Sequence, residues 1–196
     1  MADTTDDTIE TKGKFAVLVA DAFQDSEFFL PKIEIAKLGY EIEIVSVRKE
    51  PVDMWSFFGP IGKLTVDKSI DEASADDYAG VLIPGGAKSP SILSKSEAVR
   101  KFVAEIDAQG KLVACICRGG LLAAKAGVAK GRNITGFHDP DKWPELAISE
   151  TVEELGGIWH NDQAAIVDGN LISSRHPDDA DAFTGEIANW LERKAA

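Results

Sequence analysis

Positive charge is scarce in this chain: 21 Lys and Arg stand against 33 Asp and Glu, a formal net charge of −12 at pH 7. A surface of that sign repels a nucleic-acid backbone or an anionic membrane, so neither is an expected partner. No apolar run approaches the roughly 18 residues that a membrane-spanning helix needs. Only two cysteines are present, Cys115 and Cys117, and one intervening residue closes too small a loop for a useful disulfide. A reducing compartment is implied, and an N-terminus without apolar segment or basic leader gives a cytoplasmic expectation. The cysteines and three histidines lack metal-ligand spacing, so neither metal nor other cofactor is expected. Repeats and linker-like stretches are missing as well. What remains is one domain: 196 residues, 44% apolar, with residues 1–14 read as a disordered acidic tail and 15–196 as the folded unit.

The hydrophobic pattern alternates between strand and helix. Residues 15–20 are a continuous apolar run, the mark of a strand buried on both faces, and 42–47 and 81–83 read as further strands. Between them, residues 28–38 carry apolar positions at helical spacing, with Phe29, Ile33 and Ala36 on one stripe and Gly39 as the stop. Residues 52–69, with Gly59, Pro60 and Gly62, fit a hairpin excursion or an irregular insert. An amphipathic helix is expected over 97–108, a short strand over 133–137 and a helix over 149–155. Strands follow at 158–159 and 164–167, and Asp168-Gly169-Asn170 turns into a strand at 171–174. The last helix, 179–194, directs Ala182, Phe183, Ile187, Trp190 and Leu191 inward. The order describes an α/β domain: a single doubly wound, mostly parallel sheet with helices on both faces.

The most informative stretch is Lys111-Leu112-Val113-Ala114-Cys115-Ile116-Cys117-Arg118-Gly119-Gly120, a buried strand that breaks at a cysteine and turns at once into a helix. A sulfur on such a bend faces orphan N–H groups and the helix dipole, which favour thiolate, and Cys117 is therefore a candidate nucleophile. The plainer alternative is a small buried hydrophobe, the role assigned to Cys115 within the strand. In an open parallel sheet, ligands bind beyond the carboxyl ends of strands. Three loops leave those ends: one carrying Glu27, one carrying Gly85 and Gly86, and the bend at Cys117. Glu27 can exchange a hydrogen bond with the sulfur, or serve only as a first-turn acid of its helix. The N–H groups of Gly86 and Arg118 can hold an oxyanion. His176, His160 and the four tryptophans are given no chemistry.

These segments resemble the PfpI/ThiJ family of cysteine-dependent hydrolases, glyoxalases and deglycases, within the class I glutamine amidotransferase-like, flavodoxin-like fold. The residues that carry the resemblance are Phe23-Gln24-Asp25-Ser26-Glu27, Pro84-Gly85-Gly86, Cys115-Ile116-Cys117-Arg118-Gly119, the stretch 126–135 and the terminal 167–177. The resemblance implies Cys117 as nucleophile, Glu27 as the acid that hydrogen-bonds it, and a homodimer or higher homo-oligomer. Many family hydrolases place a histidine directly after the cysteine, where this chain has Arg118. An arginine stays protonated and is no general base.

Arg118 either lowers the thiolate pKa and gathers substrate, or points outward to pair with an acid across a dimer interface. His138, in a loop, either replaces the missing base or is simply solvated. The expected function is thus a Cys117-thiolate enzyme acting on small carbonyl compounds, of glyoxalase or deglycase type, with a stress-protection role. Catalytic residues are Cys117, Glu27 and His138; oxyanion or substrate contacts are Gly85, Gly86 and Arg118. The alternatives are a redox or stress-response protein with an oxidisable Cys117, and a cysteine peptidase or amidase acting on a peptide.

Overall fold

Apolar runs without polar alternation need cover on two sides, and the computed structural model, which describes residues 11–195, gives it to them. In chain order the elements are β1 (Lys14–Leu18), β2 (Phe23–Gln24), α1 (Asp25–Lys37), β3 (Glu41–Ser46), β4 (Val52–Ser56), β5 (Gly59–Leu64), β6 (Lys68–Ser69) and β7 (Tyr78–Ile83). There follow α2 (Ser89–Leu93), α3 (Glu97–Ala108), β8 (Leu112–Ile116), α4 (Gly120–Lys125), β9 (Asn133–Ile134) and α5 (Ser149–Glu154). The chain closes with β10 (Ile158–Trp159), β11 (Ala165–Asp168), β12 (Leu171–Ser174) and α6 (Ala180–Ala195).

Seven strands form the main sheet in the order β11-β12-β8-β7-β1-β3-β6. The pairings are parallel except for β11 with β12, the antiparallel edge made by the turn at Asp168-Gly169-Asn170. Alternate residues of β1 serve opposite faces. Ala16 and Leu18 join Val99, Phe102, Val103 and Ile106 of α3 and Leu122 of α4. Phe15 and Val17 join Phe28 and Ile35 of α1 and Phe183, Ile187 and Leu191 of α6. Helices therefore cover both faces, as the doubly wound expectation required. Because β8, β7 and β1 are neighbours, the loops leaving their carboxyl ends converge. Residues 52–64 form a β-hairpin that extends from β2 in a separate three-stranded sheet.

Several expectations are corrected. The stripe of Phe29, Ile33 and Ala36 is exposed, and α1 instead buries Glu27, Phe28, Pro31 and Ile35. Apolar residues occupy both sides of this helix, so periodicity alone left its rotation open; the inward-facing Glu27 fixes it. In α6 Ala182 is exposed and Ala180 is buried in its place. The strand expected over 133–137 pairs only at Asn133 and Ile134, because residues 135–137 turn in toward the Cys117 bend, where Phe137 N–H donates to the Cys117 carbonyl. Of the expected tail, residues 1–10 lie outside the described residues, while Lys12 N–H donates to Gly39 O and Lys14 opens β1.

Candidate active site

Strand β8 is buried along its whole length and ends at Ile116. Cys117 follows with φ 59°, left-handed backbone that a residue with a Cβ seldom adopts. A single 3-10 turn, Cys117–Gly119, then leads into α4. The kink carries the sulfur out of the strand and onto the floor of a cavity of about 520 Å³. Cys117 is 8% exposed: buried, yet lining open space. Cys115, two residues back in the strand, is fully buried and its thiol is pushed up to about 12 by burial alone.

Glu27 reaches the sulfur from the first turn of α1. Its carboxyl is 2% exposed, hydrogen-bonds Cys117, and accepts the Gly85 N–H at 2.7 Å. No side chain fits at Gly85, since a Cβ there would stand 2.6 Å from Glu27 Oε2 and 2.8 Å from Cys117 Cβ. Gly86 has φ 104°, and a Cβ on it would meet the Ala22 carbonyl oxygen at 2.4 Å. The glycine pair thus lets backbone approach backbone, and the Gly86 and Arg118 N–H groups both donate to the Cys117 sulfur.

Burial raises the Glu27 carboxyl from 4.5 to about 8, against the lowering effect of its bonds to Cys117 and Gly85. Burial also pushes the Cys117 thiol well above its ordinary value, and an ionised Glu27 pushes it further; the two N–H groups act in the opposite direction without prevailing. Desolvation opposes the orphan N–H groups of a helix of only six residues, and shifts both the sulfur and the carboxyl toward their protonated forms.

Arg118 is buried and does not point outward, which overturns that alternative. Its Nε donates to Leu146 O at 3.0 Å, Nη1 to Gly86 O at 3.2 Å and to Ala87 O, and Nη2 to Ser91 Oγ at 3.1 Å. The guanidinium therefore ties the loop after β7, the start of α2 and the 138–148 segment to the Cys117 bend. Four of its five N–H groups are committed to protein acceptors.

His138 is set apart from this cluster. Its Nδ1 lies 2.8 Å from Oγ of the buried Ser149. It lines an adjoining cavity of about 530 Å³, which shares Phe57, Phe137 and Lys142 with the cavity over Cys117. The groups that hydrogen-bond the sulfur are Glu27, Gly86 and Arg118.

Sequence reasoning passed over the aromatic walls. Trp55 on β4, Phe57 at the hairpin tip, Phe137 and Trp143 all line the Cys117 cavity. The available signal was aromatic residues in segments that read as loops or hairpin, where no core exists to bury them. Among the described residues no group of three or more His, Cys, Asp or Glu is placed to hold a metal ion. No described helix is long and apolar enough to cross a membrane.

The profile of the DJ-1/PfpI family matches residues 13–189. A deglycase of Thermococcus kodakarensis is 32% identical over 179 residues, 91% of this chain and 99% of its own. Protein/nucleic acid deglycase 2 of Escherichia coli is 32% identical over 178 residues, 91% and 97% of the two chains. Among solved structures, a two-domain protein from Anabaena variabilis with DJ-1/ThiJ/PfpI-like and ferritin-like domains superposes with a TM-score of 0.80 at 32% identity. That match covers 92% of this chain and 48% of the other, so this chain spans about half of the two-domain protein.

Proposed function

The chain belongs to the DJ-1/PfpI family, and from that premise we propose a cysteine-dependent enzyme of glyoxalase or deglycase type, acting on small carbonyl compounds in a stress-protection role. One observation carries the reading: a sulfur held on a cavity floor by left-handed backbone, hydrogen-bonded by a buried carboxyl and by two converging N–H groups. Relatives named as deglycases at 32% identity support it.

The reactive form is the pair holding one proton between Cys117 Sγ and Glu27. Sγ adds to the aldehyde carbon of a 2-oxoaldehyde, the π pair moves to oxygen, and that oxygen takes the shared proton from Glu27, giving a hemithioacetal and a carboxylate. The Gly86 and Arg118 N–H groups hold the oxygen while it is negative. The carboxylate next removes the hydrogen from the former aldehyde carbon and returns it to the neighbouring carbon, while the hydroxyl proton passes to the neighbouring oxygen. The product is a thioester of a 2-hydroxy acid. Water cleaves it, releasing the acid and restoring the thiol, with no oxidant or reductant consumed.

Loss of methylglyoxal is followed in the presence of wild type and Cys117→Ala. Consumption by wild type alone is expected, and equal rates for the two overturn the reading. The same N–H pair suits an oxygen added to the sulfur, which favours oxidative sensing as a second reading. Peroxide attacks thiolate, so the upward displacement of the thiol slows oxidation as it slows carbonyl addition, and turnover separates the two readings. Selective oxygen gain at Cys117 under mild peroxide, without carbonyl turnover, would establish that reading instead. Peptidase chemistry of the Cys-His kind lacks its histidine, whose place is taken by Arg118, protonated and bonded to carbonyls.

We also propose a cytoplasmic homodimer or higher homo-oligomer. The exposed apolar face of α1, where Leu30 and Ile33 are each 48% exposed, supports it. Sedimentation as a monomer at micromolar concentration would refute it.

A further inference from the structure

The cavity over Cys117 is much larger than the carbonyl chemistry requires. At about 520 Å³ it falls in the range of about 300–1,000 Å³ that holds ligands of drug-like size, whereas the smallest 2-oxoaldehydes leave most of it to water. Its walls are unusual for a site meant to stay wet. Trp55, Phe57, Phe137, Trp143 and Leu146 surround the space above the sulfur. Phe57 is 74% exposed and Trp143 44% exposed, aromatic surface turned to open space rather than to the core. The Lys88 ammonium lies 5.8 Å from the ring centre of Trp55, and the Lys142 ammonium 5.7 Å from that of Trp143, which gives each ring a cationic neighbour.

The cavity offers an anion no buried partner, since its exposed Lys142 lies over the Trp143 ring. Arg118 spends its N–H groups on Leu146, Gly86, Ala87 and Ser91, so its fork is closed to a substrate carboxylate. Glu27 is neutral up to about pH 8 and offers no charge to a cation either. What the walls do offer is stacking and edge-to-face contact for a neutral ring.

We infer that the site is built for 2-oxoaldehydes bearing an aryl group, with the aldehyde carbon at Cys117 Sγ and the ring enclosed by Trp55, Phe57 and Trp143. The inference rests on the carbonyl reading above and specifies which carbonyls. These three side chains then set specificity, acting on the ring and not on the reacting carbon.

The test compares phenylglyoxal with methylglyoxal as substrates for wild type, Trp143→Ala and Phe57→Ala; the substituted positions are exposed enough to leave the core intact. Wild type is expected to favour the aryl substrate in kcat/KM by at least about tenfold, and either variant to reduce that ratio by about tenfold, the value of one lost ring contact. A wild-type ratio near one, or variants that lower both substrates in proportion, overturns the inference. A second arm does not depend on turnover: the rate at which iodoacetamide alkylates Cys117 is measured with acetophenone or acetone present. Acetophenone alone should protect the sulfur, and Trp143→Ala should lose the protection. Protection without turnover of either aldehyde sinks the carbonyl reading and keeps the aryl pocket; methylglyoxal turnover without aryl preference or protection sinks the aryl pocket and keeps the carbonyl reading.

Discussion

Replacing Glu27 by glutamine should stabilise the protein, and should do so only above the pH at which an ordinary carboxyl ionises. The Glu27 carboxyl is 2% exposed and is raised from 4.5 to about 8, chiefly by burial. Between those pH values the folded chain holds a proton that the unfolded chain has released, so wild-type stability falls as pH rises through the window. The contribution is complete below 4.5, lost progressively as pH climbs, and gone once pH passes about 8.

The displacement corresponds to about 5 kcal/mol over the full window, and to about 3 kcal/mol by pH 7. Glutamine keeps the geometry of the protonated acid: its carbonyl oxygen accepts the Gly85 N–H and its amide faces the sulfur, with no charge to desolvate. Denaturant unfolding of wild type and Glu27→Gln from pH 4.5 to 8.5 should give stabilities that nearly coincide at the acid end. By pH 8 they should stand several kcal/mol apart, the variant being the more stable. A gap that stays constant across this range would falsify the assignment of a protonated buried acid, and with it the proton that the proposed chemistry moves.

Other outcomes follow from the same site. Alkylation of Cys117 by iodoacetamide should keep accelerating above pH 9, and Glu27→Gln should move that rise to lower pH, because an ionised Glu27 is one cause of the raised thiol. Gly85→Ala should abolish carbonyl turnover and lower the unfolding midpoint, since a methyl 2.6 Å from Glu27 Oε2 and 2.9 Å from Arg118 N forces the loop away from the sulfur; retained wild-type turnover would contradict this. Arg118→Met should destabilise by about 3 kcal/mol, measured by denaturant, by leaving the carbonyls of Leu146, Gly86 and Ala87 without their donor. Phe183→Ala, at a fully buried position of α6, should cost about 3–5 kcal/mol in the same measurement without changing the alkylation profile of Cys117.

That a mostly parallel sheet exists was legible because buried strands such as residues 15–20 leave unbroken apolar runs, and because Asp168-Gly169-Asn170 specifies a tight turn; its strand order, set by pairings between distant segments, was not. Helix α3 was legible to its ends, with Val99, Phe102, Val103 and Ile106 on one side and Ser96 accepting the Val99 N–H at its start. The convergence of Glu27, Gly85, Gly86 and Cys117 followed from topology, since the three loops leave adjacent strands. What could not be read was anything decided by contacts far apart in sequence. Arg118 bonds partners 27 to 32 residues away, and no local pattern tells a buried arginine from an exposed one. The sulfur's protonation state turned on desolvation, which depends on what the fold packs around it. The rotation of α1 was ambiguous for a related reason, as its outer face carries Phe29, Leu30 and Ile33 and is scarcely less apolar than its inner one.

The left-handed backbone at Cys117 and at Ala22, with φ 59° and 60°, has a bearing on protein engineering. Each position stores about 1–3 kcal/mol that glycine would release, so any thermostabilisation screen scored on backbone preference will nominate both for replacement. At Ala22 the exchange removes one methyl and relieves a loop. At Cys117 it deletes the reactive atom, and a library enriched for melting temperature alone would fill with inert, sturdier proteins.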